Sequence, residues 1–175
     1  MKATQSLQIL SALGVAGLML LAGSSANAAG GCKLADKVGV GIAEAAVQAT
    51  IGHMTHTRFE EAGNSLRDLP TLRAQLARMR IETDRARAHL CAVLDSLESP
   101  GPATQLMVLE AKAAGTEAAA AVTELAMRTC GGAAFGGAHG IERLFRDARA
   151  PIIMSPTSEL AYEFIGRALC GLEVF

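Results

Sequence analysis

From Leu69 to Leu97 the chain repeats apolar or small residues in alternating steps of three and four: Leu69, Leu72, Leu76, Met79, Thr83, Ala86, Leu90, Val93 and Leu97. That spacing keeps one face apolar through about eight turns of α-helix. Asp68 is placed to cap the start, with Pro70 in the first turn, where its missing N–H costs nothing. Ser99-Pro100-Gly101-Pro102 then stops the helix. An earlier helix is expected over Lys33–Phe59, with Val38, Ile42, Ala45, Ala49 and Gly52 on one face and Glu44, Gln48 and Arg58 facing out. Gly63-Asn64-Ser65 reads as the turn between the two.

A third long helix is expected over Ala103–Thr129, with Leu106, Leu109, Ala113, Ala120 and Leu125 inward. Its run Ala118-Ala119-Ala120-Ala121 implies a close neighbour, because small side chains let helix axes approach. Gly131-Gly132 and the stretch from Gly136 to Gly140 predict a loop, and Ile141 to Arg149 a short helix. Pro151 and Pro156 bracket a turning piece. Ser155 is placed to cap a final helix that has Pro156 in its first turn and reaches about Leu169. These elements predict an all-α fold, an up-and-down four-helix bundle.

Composition agrees with that fold. Half of the residues are apolar (50%), yet only 3% are aromatic and there is no tryptophan, so the core is built from Ala, Leu, Val, Ile and Met. Strand patterns are nearly absent. The formal net charge of −1, from 16 basic and 17 acidic side chains, argues against nucleic acid as a partner. Residues 1–28 stand apart as a first segment, with residues 29–175 as the bundle. Lys2 precedes an uncharged apolar run from Leu7 to Ala22, and small residues follow, with Ala26 and Ala28 at the key positions. This is a secretory signal pattern with cleavage expected after Ala28. The run is short for a membrane span. An alternative is an extra apolar helix before the bundle. A lipid anchor at Cys32 fits less well, since Gly30-Gly31 lacks the usual preceding leucine. Cys32, Cys91, Cys130 and Cys170 are too far apart for a zinc or redox motif. Buried free thiols are the expectation, with one or two disulfides the alternative for an exported chain.

The segment Thr129-Cys130-Gly131-Gly132-Ala133-Ala134-Phe135-Gly136, then Ile141-Glu142-Arg143-Leu144-Phe145-Arg146-Asp147-Ala148-Arg149-Ala150, then Pro156-Thr157-Ser158-Glu159, resembles the C-terminal helical domain of acyl-CoA dehydrogenases. In that family a helix ends in a Gly-Gly loop, a Glu-Arg-Leu-x-Arg-Asp-Ala run follows, and a Thr-Ser-Glu turn opens the last helix. The stretch from Gly39 to Ala46 looks like the bundle's first helix, and Leu69 to Leu97 like its second. The resemblance implies a flavin, FAD, lying between subunits of a homo-oligomer, and a CoA thioester or another hydrophobic small molecule as substrate. Backbone amides at Gly131 and Gly132 would approach the cofactor's phosphates from the neighbouring subunit, where glycine exposes N–H groups to an anion. Thr157 and Glu159 would lie near the flavin at a helix N-terminus.

Three departures qualify what the resemblance implies. The family's usual catalytic glutamate lies two residues before that threonine, where this chain has Ser155, and a serine hydroxyl has no basicity of its own for removing an α-proton. Some relatives carry the glutamate on the first bundle helix, a position near Gly31 here, and no acid lies closer than Asp36. The family's Arg-x-Gln-Phe-Gly loop is not intact: Arg58 is the candidate for its arginine, but Phe59-Glu60-Glu61-Ala62-Gly63 follows. The family's N-terminal helical and middle β domains are missing. The chain therefore resembles either an atypical dehydrogenase or the flavin-dependent monooxygenase branch, and a partner chain carrying the missing domains is one expectation. A non-catalytic, self-associating bundle is the alternative. Flavin and CoA chemistry points to the cytoplasm and the signal pattern to export.

Other constellations read as structural. His53, His56 and Glu60 fall near one face of the first helix, but with no second His/Glu pair they predict polar residues at a helix end, and no metal site is expected. Arg73, Arg80 and Arg87, with Arg78 and Arg85, read as a solvated face laced by Glu82 and Asp84. Met79, Met107, Met127 and Met154 are core filler. Arg146, Asp147 and Arg149 read as a structural ion-pair cluster.

Overall fold

The seam from Leu69 to Leu97 folds as one long helix with neighbours on either side. The structure, a computed structural model, describes residues 38–58 and 65–174. Its helices are α1 (Val38–His56), α2 (Pro70–Glu98), α3 (Thr104–Cys130), α4 (Ile141–Asp147), α5 (Ala150–Ile153) and α6 (Ser158–Leu169), with 3-10 turns at Leu66–Asp68 and Gly131–Phe135. Among the described residues there is no strand, only an isolated bridge between Arg58 and Ser65. None of these helices is long and apolar enough to cross a membrane. The signal-like segment 1–28 lies outside the described residues.

Contacts fix the helix directions. Gly39 meets Gly115 and Thr50 meets Cys130, so α1 and α3 run parallel. Gln75 bonds Thr129 while Ser96 bonds Thr104, so α2 runs antiparallel to α3. The three long helices enclose two joined apolar layers. One holds Ala43, Ala46, Val47, Met79, Val122, Ala126 and Ile141; the other holds Val40, Ala86, Leu90, Val93, Ala111 and Ala118. Met79, Thr83, Ala86, Leu90 and Val93 are the buried residues of α2, as the seam predicts, whereas Leu69 at its start is exposed. Four buried threonines answer their hydroxyls within their own helix: Thr50 donates to Ala46 O (2.8 Å), Thr83 to Met79 O (2.9 Å), Thr123 to Ala119 O (2.7 Å) and Thr129 to Leu125 O (2.7 Å).

Several local expectations are corrected. On α1 the buried face is Val40, Ala43, Ala46, Val47, Thr50, His53 and Met54, not the face through Ala45, which is exposed. This helix is apolar nearly all round, so periodicity does not choose a face, and polar Thr50 and His53 turn inward. It ends at His56, before Phe59. Asp68 does not cap α2. Its carboxylate accepts from the Ser65 N–H (2.8 Å) and hydroxyl (3.0 Å), closing the 3-10 turn, and Leu69 takes the cap position. Nor does Ser155 cap α6. Thr157 does, accepting from the Leu160 N–H at 3.2 Å, because its hydroxyl is the one in reach of the helix's third amide. Cys130 is a buried free thiol, as expected, and Cys170 an exposed one, but Cys91 is disulfide-bonded.

Charge joins α1 to α2. Glu44 accepts from Arg80 (3.1 Å) and Arg87, and Asp84 holds the far side of Arg80. The arginine face is thus laced by Asp84 and by Arg85–Glu82 (2.9 Å), with Glu44 as an additional tie across the helices. Burial disfavours the Glu44 charge, but the Gln48 and Arg87 hydrogen bonds and the Arg80 and Arg87 charges outweigh it and hold its pKa below the ordinary glutamate value.

Two predictions follow from this packing. A Cβ on Gly39 would sit 2.4 Å from the Gly115 carbonyl oxygen, whereas one on Gly115 meets nothing within 4 Å. Gly39→Ala is therefore expected to lose about 1–3 kcal/mol of stability to overpacking, and Gly115→Ala to be neutral or stabilising by helix propensity; chemical denaturation of both variants measures the contrast. The depressed Glu44 carboxyl gives stability that is present above its unfolded value and lost as pH falls through its folded one. Thermal melts across acid pH should show a shallower loss in Glu44→Gln below the ordinary glutamate pKa of about 4.3.

Candidate functional site

Glycine ends α3 because the chain must leave in the left-handed region. Gly131 has φ 57° and its N–H still bonds Met127 O. Gly132 follows, exposed, and a Cβ there would meet nothing. A Cβ on Gly131 would likewise meet nothing, so both glycines border open space. Ala134 and Ile141 anchor the turn on either side, buried against α1 and α3. Arg58 sits at the same end of the bundle. It is exposed, just beyond α1, whose Thr50 touches Cys130 (3.9 Å) and whose His53 touches His139 (3.3 Å).

The start of α6 lies elsewhere. Lys112 of α3 donates to Pro151 O (3.0 Å), and its ammonium feels Glu159 and Glu117. Burial nonetheless pulls the Lys112 pKa down. Tyr162, one turn along α6, has its pKa raised by burial and by Glu117. The first turn of α6 thus stands beside the first half of α3. Thr157 caps it, Glu159 is exposed, and Ser158 is 2% exposed with no hydrogen-bond partner for its hydroxyl oxygen among the described residues. Ser155 is exposed.

The structure therefore brings Arg58, Gly131 and Gly132 to one end of the bundle and places Thr157 and Glu159 apart from them. Lys112 and Cys130 mark the two levels on α3, and at 1.5 Å rise per residue they are about 27 Å apart. The expected cluster of Arg146, Asp147 and Arg149 is corrected, since Asp147 enters no ion pair among the described residues: Arg146 lies 3.7 Å from Glu142, and Arg149 bonds Ala120 O (3.3 Å), lies 3.9 Å from Glu124 and covers the Phe145 ring at 4.0 Å. Of the first-helix trio, His56 engages Gly52 O (2.7 Å) and Glu60 lies outside the described residues. Among the described residues no group of three or more His, Cys, Asp or Glu converges as a metal site. Sequence reasoning overlooked His139 and Ser158. The first is 86 positions from its partner, and nothing in the pattern marks either.

Residues 38–170 match the family model described as acyl-CoA dehydrogenase, C-terminal domain. Butyryl-CoA dehydrogenase from Megasphaera elsdenii superposes with a TM-score of 0.70 at 26% identity, over 75% of this chain and 34% of that one. A glutaryl-coenzyme A dehydrogenase in its glutaryl-CoA complex gives 0.70 at 24% identity over 78% and 34%, and the FAD complex of PigA gives 0.69 at 19% over 75% and 34%. The latter two likenesses are of fold. This chain spans about a third of the length of these solved chains. No curated protein sequence matches it.

Ser158 separates a structural from a ligand-facing role. A buried hydroxyl without a partner costs stability, so Ser158→Ala is expected to leave the melting temperature of the ligand-free chain unchanged or raise it. A clear fall would show that the hydroxyl has a structural partner.

Proposed function

We propose that this chain, which belongs to the acyl-CoA dehydrogenase family through its C-terminal helical domain, contributes that domain's share of a flavin-linked oxidoreductase, with FAD as cofactor. The observation that carries the reading is the family match from 38 to 170, a range that includes the Gly131-Gly132 turn and the Thr157-capped helix. The residues fit the cofactor. The open space beside Gly131 and Gly132 leaves room for a phosphate, Arg58 adds a cation at that end, and the start of α6, with the Ser158 hydroxyl unpartnered among the described residues, forms a second polar surface. When bound, FAD supplies the hydride acceptor.

The separation of the two surfaces favours a site shared between chains. With about 27 Å of α3 between them, no small group touches both in one copy. A second copy, or a partner carrying further domains, brings a Gly-Gly turn to the other chain's α6. Exposed apolar side chains support such association: Phe135 is 75% exposed, Ile153 78% and Leu169 72%. The substrate class is a CoA thioester or a hydrophobic small molecule of similar chemistry. Ser155 cannot serve as its base, so proton abstraction requires a carboxylate from elsewhere, while a monooxygenase-like reaction does without that group. The second reading, a non-catalytic self-associating bundle, rests on the same exposed apolar residues.

An absorbance spectrum of the purified chain, taken after FAD addition and desalting, tests the proposal. Retained flavin is expected, and Gly132→Ala is expected to reduce it with no change in melting temperature, since the added Cβ meets nothing in the chain itself. Flavin that survives Gly132→Ala unchanged would remove the turn from the site. A colourless, stable oligomer would favour the non-catalytic bundle.

A further inference from the structure

One polar cluster has no part in the cofactor reading. His53, near the end of α1, is 6% exposed. Its Nδ1 stands 3.3 Å from His139 Nε2 and 3.2 Å from the Thr57 hydroxyl oxygen. The two rings meet edge to face, with centroids 4.7 Å apart and planes at 67°. His139 comes from the glycine-rich turn Gly136-Gly137-Ala138-His139-Gly140, where Gly140 adopts φ 63°.

An imidazole nitrogen offers either one lone pair or one N–H. His53 Nδ1 therefore serves one of its two neighbours well and leaves the other competing. A divalent cation resolves that conflict, because it accepts lone pairs from all three atoms together. Two ligand atoms each about 2.1 Å from a zinc ion, at a tetrahedral angle, stand about 3.4 Å apart. The two imidazole nitrogens already have nearly that separation.

We propose that His53 Nδ1 and His139 Nε2 bind a borderline divalent cation, zinc by ligand type, with the Thr57 hydroxyl and water completing its shell. The ion clips the glycine-rich turn to the end of α1. Among the described residues, the other candidate ligands nearby are engaged: His56 Nδ1 lies 2.7 Å from Gly52 O, and the buried Cys130 thiol faces Thr50 with its pKa raised by burial. With two imidazoles and, among the described residues, no carboxylate or thiolate, the site is weaker than a structural zinc centre and fits reversible binding.

The test is calorimetric titration of the EDTA-treated full chain with Zn²⁺ at neutral pH, with Co²⁺ as a spectroscopic substitute. One equivalent should bind with a dissociation constant on the order of micromolar, and His139→Gln should weaken it at least about tenfold. His139 is exposed, so the metal-free variant should melt where the parent does. His53→Gln should abolish binding in a sample shown by circular dichroism to be helical. Cys170→Ser, which removes the exposed thiol, should bind as the parent does. No saturable binding by the parent chain, equal affinity in His139→Gln, or loss of binding in Cys170→Ser would each overturn the proposal.

Discussion

Everything else in the bundle depends on how closely α1 approaches α3. Gly39 lies against the Gly115 backbone, and no side chain larger than hydrogen fits at Gly39 without displacing it. From that contact the two helices run side by side to Thr50 and Cys130. A core with almost no aromatic side chains cannot fill wide gaps, so close axes are a condition of burying enough surface. The contacts nearest the crossing are accordingly small: Val40, Ala111 and Ala118 in one layer, Ala43, Ala46 and Val122 in the next. The same closeness lets buried threonines replace aliphatic residues, because each hydroxyl bonds its own helix and asks nothing of the neighbour.

The sequence reveals the parts where a polar pattern opposes an apolar one. On α2 the arginines and acids exclude three sides of the helix, and the seam through Met79, Thr83, Ala86, Leu90 and Val93 is the buried one. On α1 that opposition is missing. Glu44 is its one acid, and it is held by Arg80 and Arg87 of α2. A pattern method takes Glu44 for a solvent-facing marker and so rotates the helix wrongly. Caps fail for a related reason. Asp68 and Ser155 have the right chemistry in the right place, but Asp68 is drawn to Ser65 and Thr157 is better placed than Ser155. Local propensity ranks candidates, and geometry selects among them.

For the candidate site, the motif residues were legible and their grouping was not. Gly131, Gly132, Thr157 and Glu159 are recognisable by type and order. Only the structure shows that α3 runs between them, with Lys112 holding the Pro151 carbonyl at the level of α6. Neither the pairing of His53 with His139 nor the buried hydroxyl of Ser158 has a periodic signature. Contacts made across the fold by single polar atoms are the class that spacing arguments miss.

The two ends of the bundle differ in a way that bears on how the domain works. At the α6 end, the side chains around the candidate residues are tied into the scaffold: Thr157 caps the helix, Lys112 bonds Pro151, and Tyr162 sits beside Glu117 and Glu159. At the Gly131 end the backbone itself is the exposed element. It is held below by Ala134 and Ile141 and at its far side by His139 against His53. Under the proposed reading, an end built from glycine would bind through N–H groups whose positions depend on what fixes the turn. The contact between His139 and α1 is therefore the natural place to control that end's shape. Whatever tightens it, a proton-sharing hydrogen bond or a bound cation, acts on the turn's backbone without touching α6. That separation lets one end of the domain be adjusted while the other keeps its geometry.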